Sequence, residues 1–300
     1  MENEVKSTFP DLSSIQTPGK IMALSVRTNI SALRAVGRLN NSQNALSNSL
    51  EKISSGLRVN RAADDAAGLA VASRMESDNT SLNQAIRNAN DGISLIQTAE
   101  GGLNEIHNIL VRMRELSVQA SNNTYNSDDR ALINTEFGQL ASELNRIASV
   151  ANFNRTNILN SGTTNFSLQV GIHNNADNRL VINLASLAAT GGSLSLNTLF
   201  GSGITTVANA QAAISTLDSA IDDISTRRST LGATQNRLEN ALNEAANYSE
   251  NLSGSASQIL DVDYAEESSS MTRYQIMQQA GVAALGQAKA IPQSIVSLLS

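Results

Sequence analysis

A mainly α-helical fold is predicted, made of long antiparallel coiled-coil helices with a small β-hairpin region and with terminal helices that become ordered on assembly. Three observations predict it. Met75, Leu82, Ala89, Ile96, Leu103 and Leu110 recur every seven residues without a slip, and Ala210, Leu217, Ile224, Leu231, Leu238, Ala245, Leu252 and Ile259 do the same later in the chain. Sustained seven-residue apolar repeats are the mark of a helical seam, and two seams of similar length are most simply paired with each other. Between them, Phe166, Leu168, Val170 and Ile172, then Leu180, Ile182 and Leu184, alternate with period two around HNNADNR, as a hairpin does. Aromatic residues are only 3% of the 300 and tryptophan is absent. Such a chain cannot fill a thick core with large side chains, but Leu, Ile and Ala suffice for long thin seams.

In chain order, residues 1–21 hold two of the three prolines and show no period, so they are expected to form a disordered extension. Met22, followed by Ala23 and then by patterned sequence, is a second candidate start. From Ser25 to Leu57, Leu39, Leu46 and Ile53 recur every seven residues, with Leu50 and Leu57 four residues after the last two; residues 22–60 are taken as an N-terminal helical segment. The stretch Ile53–Met75 reads ISSGLRVNRAADDAAGLAVASRM. Gly56 interrupts the heptads, and Asn60 offers a cap ahead of a new helical run, so this is a joint between helices.

The second helix is predicted to run from about Arg61 to Ser121, on the order of 90 Å. Gly101–Gly102 interrupts its composition but not its register. Asn122–Asp129 is a polar turn, and Ile133, Phe137, Leu140, Leu144, Ile147 and Ala151 mark a shorter helix folding back. The hairpin is placed at about 163–185, a Gly/Ser-rich turn region at Gly191–Gly203, and the second long helix after it, closing a core domain of residues 61–260. In that helix Val207, Ile214, Ile221 and Leu242 are read as the seam's partner positions. Residues 261–300 begin acidic and become an apolar helix through Met271, Tyr274, Met277, Ala280, Ala284, Leu285 and Ala288.

The two terminal helices are each about 30 residues with a narrow apolar stripe and no host domain. Pairing them buries on the order of a dozen modest side chains, against an ordering cost of roughly 1 kcal/mol per residue. The balance is near zero for one subunit, so both are expected to become ordered only when many chains assemble.

Composition and motifs exclude much chemistry. A net charge of −6 without a basic or aromatic cluster argues against nucleic-acid binding. Without cysteine there is no disulfide framework, thiolate zinc site or thiol nucleophile. The N-terminus lacks the apolar region of a cleaved secretion signal, and Gln287, Lys289, Pro292 and Gln293 interrupt the one long apolar tract, so membrane insertion is not expected. HExxH, P-loop, GxGxxG and GxSxG patterns are missing. His107 and His173 are read as structural or solvated. Asp64 and Asp65, about 100° apart on a helix, do not converge on one ion and suit helix-start electrostatics better. No catalytic, cofactor or metal residue is assigned, and no enzymatic activity is expected.

The segments SLEKISSGLRVNRAADDAAGLAVASRM, RNANDGISLIQTAEGGLNEIHNILVRMRELSVQA and DVDYAEESSSMTRYQIMQQAGVAALGQAKAIPQSIVSLL closely resemble the defining segments of bacterial flagellins. The resemblance runs from Met22 to the end, with only Asn152–Thr205 between the helical parts, so it implies a short form without variable outer surface domains. It implies a secreted structural subunit of a self-assembling filament, with residues 22–60 and 261–300 forming an inner tube. Implied partners are further copies of the chain, the flagellar type III export apparatus, an export chaperone on about Glu267–Ser300, and the filament cap and hook-associated proteins. The subunit interface is expected at Gly56, Arg58, Asn60, Asp64, Asp65, Ala67 and Gly68 around the joint, and at Leu39, Leu46, Met277, Leu285 and Leu298 on the terminal helices.

LVRMREL (Leu110–Leu116) is similar to the segment bound by the vertebrate flagellin receptor, which places Arg112, Leu116 and Glu136 at contact positions, with Val111 where many family members have glutamine. A hook–filament junction protein, which shares flagellin-like ends, is the alternative within the structural class. The alternative of another class, an enzyme on the same scaffold, would need a catalytic constellation in Asn152–Gly203, and none is present there. The bare face of Ala62, Ala63, Ala66, Ala67, Gly68, Ala70, Ala72 and Ser73 suits either a close helix pair within the chain or a neighbour along a filament, and the latter is favoured.

Overall fold

The computed structural model describes residues 28–160, 164–184 and 201–299. The expected N-terminal extension and most of the Gly/Ser-rich turn region lie outside them. The chain divides into two compact units, residues 1–60 with 262–300, and residues 61–261.

In the larger unit, α2 (Ala66–Ala120) and α4 (Val207–Leu260) run antiparallel. The register is fixed along their length by Asn79 donating to Ser253 Oγ (3.0 Å), by Arg228 beside Glu100 (3.6 Å) and by Arg114 on Asp218 (2.5 Å). Leu82, Ala89, Ile96, Leu103 and Leu110 face Leu217, Ile224, Leu231 and Leu238 across a seam from which solvent is excluded. The second row of α4 differs from the sequence expectation. Ala213, Ala220 and Thr234, each three residues beyond a heptad position, are the buried ones, whereas Val207, Ile214, Ile221 and Leu242 are half-buried. Small side chains there let the helices approach, and the larger ones flank the seam.

Helix α2 begins five residues later than the repeat suggests. Asp65, not Asn60, is its N-cap: the Asp65 carboxylate accepts the Gly68 N–H at 2.8 Å, satisfying one of the donors that a helix start leaves open. Asp64 accepts the Arg61 N–H at 3.0 Å and closes the preceding turn. The Asn60 amide donates instead to Glu51 at 2.7 Å. Through Gly101–Gly102 the helix is unbroken, and the absence of a Cβ at Gly102 leaves room for Leu159 Cδ1, 2.8 Å from where that atom would sit.

Helix α3 (Ser127–Val150) starts on a reciprocal capping box between Asn126 and Asp129 and buries Phe137, Ala141, Leu144 and Ala148. Two antiparallel strand pairs follow. β1 (Asn152–Phe153) and β2 (Thr156–Asn157) form a minimal hairpin, and β3 (Thr164–Gln169) pairs with β4 (Arg179–Leu184) in register Phe166 with Ile182. Along β4 burial alternates strictly, Leu180, Ile182 and Leu184 inward. The larger hairpin is latched onto α2 at Gly92: a Cβ there would lie 2.1 Å from Leu168 Cδ1 and 3.3 Å from Leu238 Cδ1.

The β1–β2 turn has Asn154 at φ 47° and Arg155 at φ 65°. A two-residue connection with both central residues left-handed is the type I′ geometry, in which the second position is ordinarily glycine. A side chain there costs about 1 to 2 kcal/mol.

In the smaller unit, α1 (Ile30–Ser55) lies antiparallel to α5 (Tyr264–Leu299). Asn29 caps α1 through the Ala32 N–H and donates to Ala288 O at 2.7 Å; Ser42 donates to Tyr274 O at 3.4 Å; Lys52 stands 4.0 Å from Glu267. Gly56 ends α1 at φ 75°, its N–H on Lys52 O and its carbonyl accepting the Val262 N–H at 3.0 Å.

Replacing Gly92 by Leu is expected to destabilise the larger unit by roughly 1–3 kcal/mol through overpacking. The check is a lowered urea midpoint at unchanged m-value.

Candidate assembly surface

On the terminal helices, the heptad residues are turned toward each other. Leu46 is 8% exposed and Leu39 half-buried on α1; Met271, Tyr274, Gln278, Gly281, Leu285 and Ala288 form the facing row of α5. Leu39, Leu46 and Leu285 are thus largely occupied within the chain, and Leu298 lies outside the described side chains. Met277 points outward, as do Ala280 and Ala284.

The outward faces hold more apolar side chains than the heptad reading found. Ile30, Leu33, Val36 and Leu50 of α1 are exposed, Leu33 at 63%, as are Ile276, Met277 and Val282 of α5. Among the described residues of this unit only Leu46, Ser49 and Val59 are buried. A helix apolar on opposite sides normally sits inside a larger assembly. The steps Ile30, Leu33, Val36 in sequence are a second stripe off the heptad, and that was the available signal.

At the joint, Gly56 is held left-handed and half-buried, while Arg58 and Asn60 are exposed. In the larger unit, Asp64 is exposed and Asp65 half-buried; Ala62 and Ala63 in the turn before α2, and Ala66, Ala67, Ala70 and Ser73 in its first turns, face solvent, while Ala72 turns inward and Val71 is 47% exposed. Gly68 has a role within the chain. A Cβ at Gly68 would lie 2.2 Å from Asp65 Oδ2, so a side chain there would make the Asp65 carboxylate shift from its place over the helix start.

On α2 and α3, Arg112 donates to Glu136 Oε1 through Nε (3.0 Å) and Nη2 (2.8 Å) and to Glu115 Oε2 through Nη1 (2.9 Å). These hydrogen bonds, to Glu136 first and Glu115 second, raise the guanidinium pKa further. The group is fully charged and at the surface. Leu116 is different. It is 2% exposed and packs in the core with Leu110 and Met113, so the expected receptor contact cannot include its side chain in this fold. Near this cluster Val111, Val118 and, at 74% exposure, Leu132 are solvent-facing apolar residues of these helices.

Among the described residues no group of three or more His, Asp or Glu side chains could hold a metal ion, and no helix is long and apolar enough to cross a membrane. His107 is half-buried with Nδ1 unpartnered, and His173 is exposed near the tip of the larger hairpin. The two are not brought together.

Comparison with known proteins agrees with this architecture. The family described as the bacterial flagellin N-terminal helical region matches residues 26–164, and the C-terminal helical region matches residues 214–299. The chain is 43% identical to a flagellin of Halalkalibacterium halodurans over 91% of its own length and 99% of the relative's. It is 41% identical to the flagellar filament 33 kDa core protein of Treponema phagedenis, over 91% and 99%. A solved structure titled as a putative flagellar hook-associated protein from Vibrio parahaemolyticus aligns with TM-score 0.53 over 66% of this chain and 100% of that one. At 12% identity this shows the shared fold alone.

Replacing Gly68 by Leu is expected to disrupt the Asp65 cap and cost about 0.5–2 kcal/mol. Ala67→Leu, on the exposed side of the same turn, is expected to stay within about 0.5 kcal/mol of the parent. Thermal melts of the two monomeric variants followed by circular dichroism separate these outcomes.

Proposed function

This chain belongs to the bacterial flagellin family, and on that premise we propose that it is the structural subunit of a flagellar filament, exported from the cell and polymerised outside it for swimming motility. It acts as a building block and not as an enzyme. The observation that carries the reading is the apolar surface of the terminal helices, with Leu33, Ile276 and Val282 each more than half exposed. Burying such a side chain contributes roughly 1.5–3 kcal/mol, and a helical polymer, whose heterologous contacts repeat without closing, supplies that burial to every copy. The relatives at 43% and 41% identity are named a flagellin and a flagellar filament core protein, whereas the likeness to a hook-associated protein carries no more than fold. The filament reading is therefore preferred to a hook–filament junction.

In this reading residues 22–60 and 261–300 pair and stack as an inner layer, and 61–260 form the layer around it. The interface draws on Gly56, Arg58, Asn60, Asp64, Asp65 and Ala67, on Met277 and Leu298, and on the outward faces of α1 and α5. The chain leaves the cell unfolded through the flagellar type III apparatus, with an export chaperone holding Glu267–Ser300, and is added beneath a filament cap. A vertebrate flagellin receptor would meet Arg112 and Glu136, with Val111 and Leu132 in place of Leu116 as apolar neighbours.

Deleting Ser268–Ser300 is expected to abolish filament formation while leaving residues 61–261 folded; normal filaments from the truncated chain would overturn the proposal. Ala67→Leu should raise the critical concentration for polymerisation with monomer helicity unchanged. Amide hydrogen exchange on the monomer is expected to be fast over 25–57 and 265–297 and to slow sharply in filaments. Strong protection in the monomer would show that the terminal pair stands alone.

A further inference from the structure

We infer that the joint is a clasp from which the terminal helix pair orders outward: residues 46–56 and 262–273 pair first, and residues 30–44 and 275–289 follow. The inference rests on the filament reading and gives the order of events within it. The pair is held unequally along its length. Leu46, Ser49 and Val59, the buried residues of this unit among those described, all lie on the joint side, and none of residues 30–45 is buried. Both helix ends at the joint are capped. Gly56 closes α1 at φ 75° with Lys52 in the last turn, and the Asp263 carboxylate opens α5 by accepting the N–H groups of Ala265 (2.8 Å) and Glu266 (3.2 Å), with Glu266 and Glu267 in its first turn. Between these ends the Val262 N–H donates to the Gly56 carbonyl at 3.0 Å, Lys52 stands 4.0 Å from Glu267, and the Tyr264 hydroxyl lies 3.1 Å from where a Cβ on Gly56 would sit.

The outer stretch is built more weakly. It holds the glycines of the two helices, Gly37, Gly281 and Gly286, each unfavourable in a helix interior, and residues 46–55 and 264–273 contain none. Its contacts across the pair include Asn29 donating to Ala288 O (2.7 Å) and Gln278 donating to Gln43, while Leu39, Gly281 and Leu285 are half-buried. Chain connectivity acts in the same direction. Because α2 and α4 run antiparallel, the folded larger unit starts and finishes at one end of its seam, and the segments that leave it begin side by side. Pairing Gly56 with Val262 then closes a short loop. Pairing Asn29 with Ala288 first would close a much longer one, at greater entropic cost. Helix formation is costly to nucleate and easy to extend, so order spreads from the clasp toward both chain ends.

The test reads amide exchange of the intact, unpolymerised chain on the millisecond scale, where the whole pair exchanges fast. Relative to intrinsic rates, residues 46–56 and 264–273 are expected to be several-fold more protected than 30–44 and 275–289. Gly56→Ala, which forces a side chain into a left-handed position beneath Tyr264, is expected to lower the protection of both stretches together several-fold and to slow filament elongation several-fold. Gly37→Ala, in open space, is expected to raise protection over 30–44 alone. Equal protection along the pair, a gradient in the opposite sense, or a Gly37→Ala effect that spreads equally to 46–56 would overturn the clasp, as would elongation of Gly56→Ala at the parent's rate. The gradient is read without filaments, so failure of the parent itself to polymerise would overturn the filament reading instead.

Discussion

The α2–α4 seam is the interaction on which the rest of the larger unit depends. Two helices of 55 and 54 residues obtain from length what the composition denies them in side-chain bulk. Alanines at 85, 89 and 99 on one side and 210, 213 and 220 on the other are buried, so the backbones approach closely and the leucines and isoleucines between them interlock. Everything else in the unit is attached to this seam by close approach. Gly92 admits Leu168 of the hairpin, Gly102 admits Leu159, and Phe137 of α3 is fully buried among the cluster. A glycine within a helix is unfavourable by about 1 kcal/mol relative to alanine. Here Gly92 and Gly102 fix where strands lie on a surface that would otherwise be uniform.

The terminal helices follow the same pattern with a different outcome. Their facing row includes Ser42, Ser49, Gln278 and Gly281 along with Leu39, Leu46 and Leu285, and two of the contacts between them are side-chain hydrogen bonds to backbone carbonyls. Such bonds contribute about 1 kcal/mol net each. They orient the pair more than they stabilise it. Ile30, Leu33, Ile276 and Val282 point the other way, and in the proposed filament further copies would cover them. That arrangement suits a subunit that is soluble before polymerisation and cohesive afterwards.

Heptad repeats made the seam, its register through Gly101–Gly102 and the period-two hairpin legible, because burial on one face selects apolar residues at fixed intervals. Other features depend on choices that periodicity does not record. Asn60 and Asp65 are both competent caps, and tertiary context decides between them, Asn60 being engaged by Glu51. The β1–β2 hairpin escaped detection because its strands are two residues long and its turn is Asn-Arg where Asn-Gly would have announced it. Leu116 was carried to the surface by resemblance, although it lies six residues after the heptad position Leu110 and three after Met113, on the buried side. The outward stripe of α1, Ile30, Leu33 and Val36, lies off the heptad of Leu39, Leu46 and Ile53, so the period that marks the facing row does not record it.

The small-residue face at the start of α2 separates into two roles once the cap is taken into account. Gly68 lies under the Asp65 carboxylate, 2.2 Å from where a Cβ would sit, so its lack of a side chain has an explanation within the chain. Ala66, Ala67 and Ala70 are different: they are exposed helix positions. Surface helix positions freed from packing ordinarily carry Lys, Glu, Gln or Arg, which favour the helix nearly as well and keep it soluble. A run of exposed alanines gives up that solubility, and what it gains is room for another backbone at van der Waals distance. The proposed contact along the filament therefore rests on the exposed alanines of this face.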